Sequence, residues 1–215
     1  MVKACLIDVY DTILQSHFTD RTAALVEPLG IAPAAWLAEW DTLHEERDRG
    51  KVTVTDSFAR TLAAVGIEPQ PDLVAELSRR DDELSASYVR LCEDTVPFLG
   101  WLRSRGVLTA LVSNCADTTR PLLDRLGIFP LVDAAVLSCE VGSIKPYPDI
   151  YVTALEELGV AAVDALFIDD KPAFCVGAEA VGVRPVQIAR GAVSGYDSRW
   201  NFPVVHSLDE VRSLV

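Results

Sequence analysis

The sequence predicts a doubly wound α/β domain that carries a helical insert after its first strand. Outside residues 15–95, short apolar runs rich in β-branched residues alternate with helical stretches, and each run ends in polar residues. Runs that are apolar at consecutive positions are typical of strands buried on both faces of a parallel sheet, with helices as right-handed crossovers. The predicted strands are Val2–Ile7, Val107–Val112, Ala134–Leu137, Ala165–Ile168 and Val183–Ile188.

Residues 15–95, between the first and second strands, show helix boundaries and no strand pattern. The boundaries are residues that commonly precede or end helices, and they predict four helices. Because the insert leaves and re-enters the sheet at the first strand, we expect it to lie as a lid over the carboxyl end of that strand. The markers are Asp20, Gly30, Pro33, Gly50 and Gly66, and the fourth helix is predicted roughly from Asp72 to Cys92.

Composition and charge limit the classes of partner. The chain has 215 residues, of which 50% are hydrophobic, so it can bury a sizeable core. A net charge of −13 disfavours nucleic acid and anionic membranes as partners, because the field repels polyanions. No apolar run approaches the ~18 residues of a membrane span, and Asp8 interrupts the start too early for a signal peptide, so we expect a cytoplasmic protein. Five separated cysteines without a C-x-x-C pair disfavour disulfides and zinc.

Acidic residues end two of the predicted strands. Ligands of doubly wound sheets bind at the carboxyl ends of the strands, so these residues are candidates for the functional site. Asp8 follows the first apolar run, and a carboxylate there is unfavourable unless it is paired, coordinated or used in chemistry. Asp169 and Asp170 end a later run, where repulsion between adjacent acids favours a bound cation.

Two further segments place polar groups at the same edge of the predicted sheet. Ser113 and Asn114 follow the second strand, and Lys145 lies just ahead of a helix that a proline opens. Each of these features alone has an ordinary explanation, as a helix N-cap or a solvated lysine. Their convergence on the strand ends favours a functional site.

An aspartate, a hydroxyl, a lysine and an acidic pair, in this order, resemble the four motifs of the haloacid dehalogenase superfamily. The match covers nearly the whole chain, and the insert resembles the α-helical (C1-type) cap of that family. The resemblance implies a Rossmann-like core of residues 1–15 and 96–215 and a cap domain of residues 16–95. The matching segments are Asp8-x-x-x-Thr12, Ser113-Asn114, Gly142 to Pro148 and Asp169-Asp170.

The resemblance also implies a hydrolytic mechanism. Asp8 attacks the substrate and forms a covalent intermediate that water then cleaves. Thr12 and Ser113 bind phosphoryl oxygens or orient Asp8, and Lys145 keeps Asp8 ionised and stabilises charge in the transition state. We therefore expect a phosphatase, in monomeric or homodimeric form, that acts on a small anionic, phosphorylated metabolite.

Mg²⁺ is the cofactor that this resemblance implies. Phosphoryl transfer between an anionic nucleophile and an anionic substrate needs a cation, and hard oxygen ligands suit Mg²⁺. The expected ligands are the carboxylates of Asp8, Asp169 and Asp170 and the backbone carbonyl of Tyr10.

Tyr10 departs from the phosphatase pattern. Phosphatases of the superfamily usually carry an aspartate two residues after the nucleophile, where it protonates the leaving oxygen. The 2-haloacid dehalogenases carry tyrosine there and need no metal, so metal-independent dehalogenation is a second hypothesis. A third is a catalytically degenerate relative that only binds a ligand. If the chain is a phosphatase, the phenol of Tyr10, with a reference pKa of ~10, and His17 on the first cap stem are the candidate proton donors.

The cap contributes further candidates for substrate binding. Residues 47–51 concentrate basic side chains in an acidic chain, and they fit either a solvated helix terminus or a clamp for a second anionic group. The clamp hypothesis assigns that contact to Arg49 or Lys51, and Tyr10, Ser113 and Asn114 are the expected substrate-binding residues of the core. Two tryptophans four residues apart, Trp36 and Trp40, are predicted to pack in the cap core.

Overall fold

The structure is a computed structural model, and it describes residues 1–190 and 201–215. Within this part of the chain, six strands form one parallel sheet, and two further strands form a small antiparallel ribbon. The strands are β1 (Ala4–Ile7), β2 (Leu14–Gln15), β3 (Arg90–Leu91), β4 (Leu108–Ser113), β5 (Ala134–Leu137), β6 (Ala165–Asp169), β7 (Arg184–Ile188) and β8 (Val204–Val205).

Eleven α-helices accompany these strands in the described residues. They are α1 (Phe18–Val26), α2 (Pro33–Trp40), α3 (His44–Asp48), α4 (Val54–Ala64), α5 (Pro71–Tyr88), α6 (Thr95–Ser104), α7 (Thr119–Arg125), α8 (Ser138–Val141), α9 (Pro148–Leu158), α10 (Pro172–Ala180) and α11 (Leu208–Val211). Single 3₁₀ turns occupy Glu27–Leu29, Asp41–Leu43, Phe129–Leu131, Ala162–Asp164 and Arg212–Leu214. None of the helices described is long and apolar enough to span a bilayer.

The strand order of the sheet is β5-β4-β1-β6-β7-β8, and all neighbouring strands are parallel. From β1 the chain adds β4 and β5 on one side and then β6, β7 and β8 on the other. The carboxyl end of β1 therefore lies where the strand order reverses, which is where doubly wound sheets bind ligands. The predicted fold class is confirmed. The prediction missed β8, because two residues are too few to show a periodic pattern.

The two faces of the sheet bury different apolar sets, as the side-chain alternation of a strand requires. Cys5 and Ile7 of β1 pack into a core with residues of α6, α7 and α11. Ala4 and Leu6 of the same strand face the opposite core, which contains residues of α9 and α10. Burial on both faces explains why the strand sequences are apolar at consecutive positions.

The cap contains five α-helices, so the prediction of four is wrong. The segment predicted as one second helix is divided into α2 and α3 by a 3₁₀ turn at Asp41–Leu43. The Thr42 hydroxyl donates to the carbonyl of Glu39 at 2.6 Å, and such local bonds compete with the helical ladder. Trp36 is 1% exposed in the cap core and stacks on Trp40 with ring centroids 6.2 Å apart, as predicted.

The antiparallel ribbon of β2 and β3 joins the cap to the sheet domain. Leu14 pairs with Leu91 in this ribbon, and the Thr95 hydroxyl donates to the carbonyl of Ile13 at 2.8 Å. The guanidinium of Arg190 donates to the carbonyl of Thr12 at 2.6 Å. The predicted domain boundaries after residues 15 and 95 fall beside this ribbon, and they stay a prediction.

The cap also contacts the core domain at its far side, through the loop after α3. A Cβ atom placed on Gly50, whose φ is +66°, would lie 2.0 Å from the carbonyl oxygen of Cys139 in α8. Arg49 donates to the carbonyl of Gly142 at 3.2 Å. Asp117, after β4, accepts from the first amide of α4, that of Val54, at 2.9 Å. These contacts close the cap over the carboxyl edge of the sheet.

The close approach at Gly50 predicts that two glycine substitutions lower the stability of the protein by different amounts. Gly66 also has a positive φ, of +82°, but an added Cβ would meet nothing within 4 Å. We expect Gly66→Ala to lower the free energy of unfolding by about 1–2 kcal/mol, from backbone conformation alone. Gly50→Ala should lower it further, because the loop must move away from Cys139. Urea unfolding of both variants measures the difference, and equal losses would contradict the close approach.

Candidate active site

A buried lysine joins two strand ends at the centre of the site. The Nζ atom of Lys145 lies 2.5 Å from an Oδ of Asp8 and 2.6 Å from an Oδ of Asp169. Asp8 is 6% exposed, Lys145 2% and Asp169 0%. Asp8 directly follows β1 and Asp169 ends β6, and these strands are parallel neighbours, so their carboxyl ends bring the two acids together.

Three carboxylates cluster around this lysine. One oxygen each of Asp8, Asp169 and Asp170 lie within 4.8 Å of one another. Burial and the charge of Asp8 raise the pKa of Asp170 from 3.8 to about 6. Burial also raises the pKa of Asp169, although Lys145 acts against this effect. Two of the three acids contact the buried ammonium, and the hard oxygen atoms of all three fit a divalent cation such as Mg²⁺.

Lys145 is held in its position from both ends. Its backbone N–H donates to the Asn114 side-chain oxygen at 2.7 Å, and its carbonyl accepts from the Asn114 amide at 3.0 Å. The ammonium lies 4.9 Å from the ring centroid of Phe174. Burial alone would lower the pKa of Lys145, but the charges of Asp169 and Asp8 raise it above its ordinary value. Lys145 therefore stays charged at neutral pH.

Two hydroxyls predicted to serve the site are fully buried. Ser113 ends β4, the other neighbour of β1, and its hydroxyl lies 3.4 Å from the carbonyl of Asn114. The Thr12 hydroxyl has no hydrogen-bond partner among the described residues. Buried hydroxyls are almost always hydrogen-bonded, so an unpartnered one near Asp8 fits a site that receives polar groups from outside the chain.

The side chain of Tyr10 is bound to the core. Its phenol oxygen lies 2.9 Å from the hydroxyl of Thr119 in α7. Burial raises the pKa of Tyr10 from 10.0 to about 12, so the phenol stays protonated and is a poor proton donor to a leaving group at neutral pH. His17, the other candidate donor, is exposed at the start of α1 with a φ of +34°.

The predicted cap residues lie apart from the carboxylates. Arg49 pairs with Glu45 at 2.8 Å and lies over the ring of Tyr147, with its guanidinium carbon 5.2 Å from the centroid. Lys51 is exposed. In the described residues, no hydrogen bond or ion pair joins Arg49 or Lys51 to the carboxylate cluster.

The sequence patterns did not single out Asp48, which the cap places above the site. Asp48 is 5% exposed, and its carboxylate feels the charges of Lys171 and Lys145 in the core. An acid at the carboxyl end of a helix interacts unfavourably with the helix dipole. This unusual position was the feature of the sequence that could have pointed to Asp48. It was hidden by the basic residues on either side, Arg47 and Arg49.

Known proteins resemble this chain over most of its length. A family model described as haloacid dehalogenase-like hydrolase matches residues 2–182. The chain is 30% identical to a glyceraldehyde 3-phosphate phosphatase of Methanopyrus kandleri, over 93% of this chain and 89% of that protein. It is 25% identical to (S)-2-haloacid dehalogenase 4A of Burkholderia cepacia, over 99% and 93%. A HAD phosphatase structure from Thermococcus onnurineus superposes with a TM-score of 0.72 at 25% identity, covering 99% and 97% of the two chains.

The shared lysine predicts a large loss of stability when its charge is removed. Lys145→Met would leave Asp8 and Asp169 buried without their cation, and breaking a buried pair in this way costs about 3–5 kcal/mol. The control is Lys3→Met, because Lys3 pairs with Asp164 at the surface with 65% of its side chain exposed. Urea unfolding in EDTA measures both variants, and similar small losses would show that the buried pairs contribute little.

Proposed function

The chain belongs to the haloacid dehalogenase-like hydrolases, and from this we propose that it is a Mg²⁺-dependent phosphatase of a small phosphorylated metabolite. The observation that carries the proposal is the cluster of Asp8, Asp169 and Asp170 around the single ammonium of Lys145. Three carboxyl groups against one buried lysine leave an excess of negative charge in the site, which the exposed Lys171 offsets only in part, at Asp170. A divalent cation balances that charge, whereas displacement of halide by one carboxylate does not require it.

Asp8 is the proposed nucleophile. Its carboxylate forms a bond to phosphorus while the bond to the leaving oxygen breaks, and water then cleaves the aspartyl phosphate. Lys145 orients one oxygen of Asp8 and offsets charge that develops on the phosphoryl group. Ser113 and Thr12 supply buried hydroxyls for phosphoryl oxygens. Asn114 fixes the backbone of Lys145 in the structure, so we assign it a positioning role, and its predicted contact with substrate stays a prediction.

Mg²⁺ would be held by the carboxylates of Asp8, Asp169 and Asp170 and by the backbone carbonyl of Tyr10. When bound, the ion neutralises repulsion between the carboxylates and an anionic substrate. The side-chain amide of Gln187 donates to the backbone carbonyl of Asp170 at 3.3 Å and so restrains the backbone that carries this carboxylate.

The proposed substrate class, a small anionic metabolite, is inferred from the charge of the site and from the position of the cap. The cap contacts the edge of the sheet where the carboxylates lie, and the Methanopyrus relative is named as a phosphatase of glyceraldehyde 3-phosphate, a small phosphorylated metabolite. Arg49, at the rim of the cap contact, and exposed Lys51 are the proposed ligands of a second anionic group.

The proposal predicts turnover of p-nitrophenyl phosphate with Mg²⁺ and loss of turnover in EDTA. Asp8→Asn should abolish turnover, because an amide cannot act as the nucleophile. Asp124→Asn, an exposed acid on α7, is the matched control and should keep wild-type activity. Equal turnover with and without Mg²⁺ would remove the metal from the proposal. Absence of turnover across a panel of phosphate monoesters would remove the phosphatase.

A second candidate function, dehalogenation of a 2-haloacid, is favoured by Tyr10 and by the Burkholderia relative. A halide leaves without a proton, so a phenol whose pKa is raised to about 12 is compatible with that reaction. Release of chloride from 2-chloropropionate in EDTA, with loss of the activity in Asp8→Asn, would establish this function. We expect no chloride release, because the carboxylate cluster carries uncompensated charge without a cation.

A further inference from the structure

Hydrolysis of a phosphate ester needs a proton donor on the far side of phosphorus from the nucleophile. In-line displacement places the leaving oxygen opposite Asp8, on the side of the substrate that faces the cap. An alkoxide or phenoxide leaves slowly unless it is protonated as it departs, and a positioned acid accelerates this step by about 10²–10⁴-fold. The acid must later accept a proton from the attacking water.

The groups around Asp8 are poorly suited to this task. Asp169 and Asp170 are proposed cation ligands, and Lys145 is held by two carboxylates that keep it charged. The phenol of Tyr10 is bound at Thr119 in the core, with its pKa raised to about 12. None of these four groups is therefore well suited to donate a proton to the leaving oxygen.

The cap segment that contacts α8 carries a buried acid, Asp48, at the end of α3. Arg47 anchors the loop inside the cap, where its guanidinium donates to the carbonyl of Trp40 at 2.8 Å and lies 3.9 Å from that ring centroid. Arg49 and Gly50 fix the following residues against α8. Asp48 lies between these two anchors, so its side chain is fixed at the boundary of cap and core.

The carboxyl group of Asp48 lies within electrostatic range of two lysines at the carboxyl edge of the sheet. Lys171 and Lys145 act on it from the sheet edge, and it acts in turn on the thiol of Cys115 at the end of β4. Its side chain is 8% exposed, and burial raises its pKa, although His44, Arg47 and the two lysines act in the opposite direction. The pKa of the Asp48 carboxyl is therefore higher than that of a surface acid.

His44 connects this carboxyl to solvent. Its Nε2 atom lies 3.3 Å from an Oδ of Asp48, one helical turn away on α3, and its own side chain is 66% exposed. An imidazole in this place can pass protons between the buried carboxyl and bulk water.

We propose that Asp48 is the general acid and base of this enzyme, supplied by the cap in place of a residue beside the nucleophile. The inference rests on the proposed phosphatase function. As Asp8 forms its bond to phosphorus and the ester bond breaks, the Asp48 proton moves to the leaving oxygen and gives the alcohol. Water then attacks phosphorus, the bond to Asp8 breaks, and the water proton moves to Asp48, which restores both residues and releases phosphate.

The test uses two aryl phosphates of similar shape, p-nitrophenyl phosphate and phenyl phosphate, whose leaving groups differ in basicity. In rapid-mixing experiments with Mg²⁺, the first turnover of Asp48→Asn should be slower by about 10²-fold or more on phenyl phosphate. On p-nitrophenyl phosphate, whose leaving group needs little protonation, the burst of p-nitrophenol should be nearly preserved, followed by slow steady-state turnover. Asp48→Glu, which keeps a carboxyl, should recover part of the phenyl phosphate rate.

Two control variants separate this role from general effects on the cap. Asp41→Asn alters an exposed acid of the same cap segment and should change neither rate. Asp81→Asn alters the other buried acid of the cap, which pairs with Arg21 at 3.6 Å, and should slow both substrates equally if at all. Thermal unfolding of each variant verifies that the fold is retained.

The results distinguish a failure of the Asp48 assignment from a failure of the phosphatase proposal. An equal loss on both substrates in Asp48→Asn, or a selective loss in Asp81→Asn instead, would overturn the assignment of Asp48 and leave the phosphatase intact. Absence of any p-nitrophenol release by the wild-type enzyme with Mg²⁺ would overturn both proposals together.

Discussion

The rest of this structure depends on one buried ammonium group, that of Lys145, and on the carboxylates clustered near it. Lys145 contacts Asp8 and Asp169 at hydrogen-bond distance, and Asp170 completes a cluster with more acid than base. Burying such charges is unfavourable unless they are paired and fixed in geometry. The parallel sheet fixes the acids at neighbouring strand ends, and both ends of the Asn114 amide fix the backbone of Lys145.

The cap provides the other half of the site. Its own apolar core, built around Trp36 and Phe58, makes it a stable body, and the ribbon of β2 and β3 ties it to the sheet. Gly50 lets its loop approach the backbone of Cys139 more closely than any side chain would allow. The buried carboxyl of Asp48 is placed at the cleft by this approach, so the geometry of cap closure and the proposed proton transfer depend on the same loop.

Tyr10 shows how burial changes the chemistry that a residue can perform. Enclosure raises the pKa of its phenol to about 12, and the Thr119 hydroxyl is its hydrogen-bond partner. The same physical effect, desolvation, raises the pKa of the Asp48 carboxyl, where it favours the protonated form that a proton donor needs. The identity of the residue two positions after Asp8 is therefore less informative about the reaction than the environment of the acids around the site.

The sequence by itself determined the fold class, the position of the helical insert and the set of strand-end residues. These features are local, because burial on both faces makes each strand apolar and parallel strands place their ends along one edge. The order of the motifs then predicted that Asp8, Ser113, Lys145 and the Asp169-Asp170 pair would lie near one another. The break between α2 and α3 was missed, because it depends on one side-chain bond of Thr42.

Only the tertiary structure decided which groups touch and which acids are buried. That Lys145 bridges Asp8 and Asp169, that Asn114 holds Lys145 and that Arg49 contacts Gly142 depend on residues distant in sequence. Asp48 stands between two arginines and reads as part of a basic surface in the sequence. Its burial depends on how the cap packs against the sheet, and this packing joins segments with separate apolar cores rather than following from any local pattern.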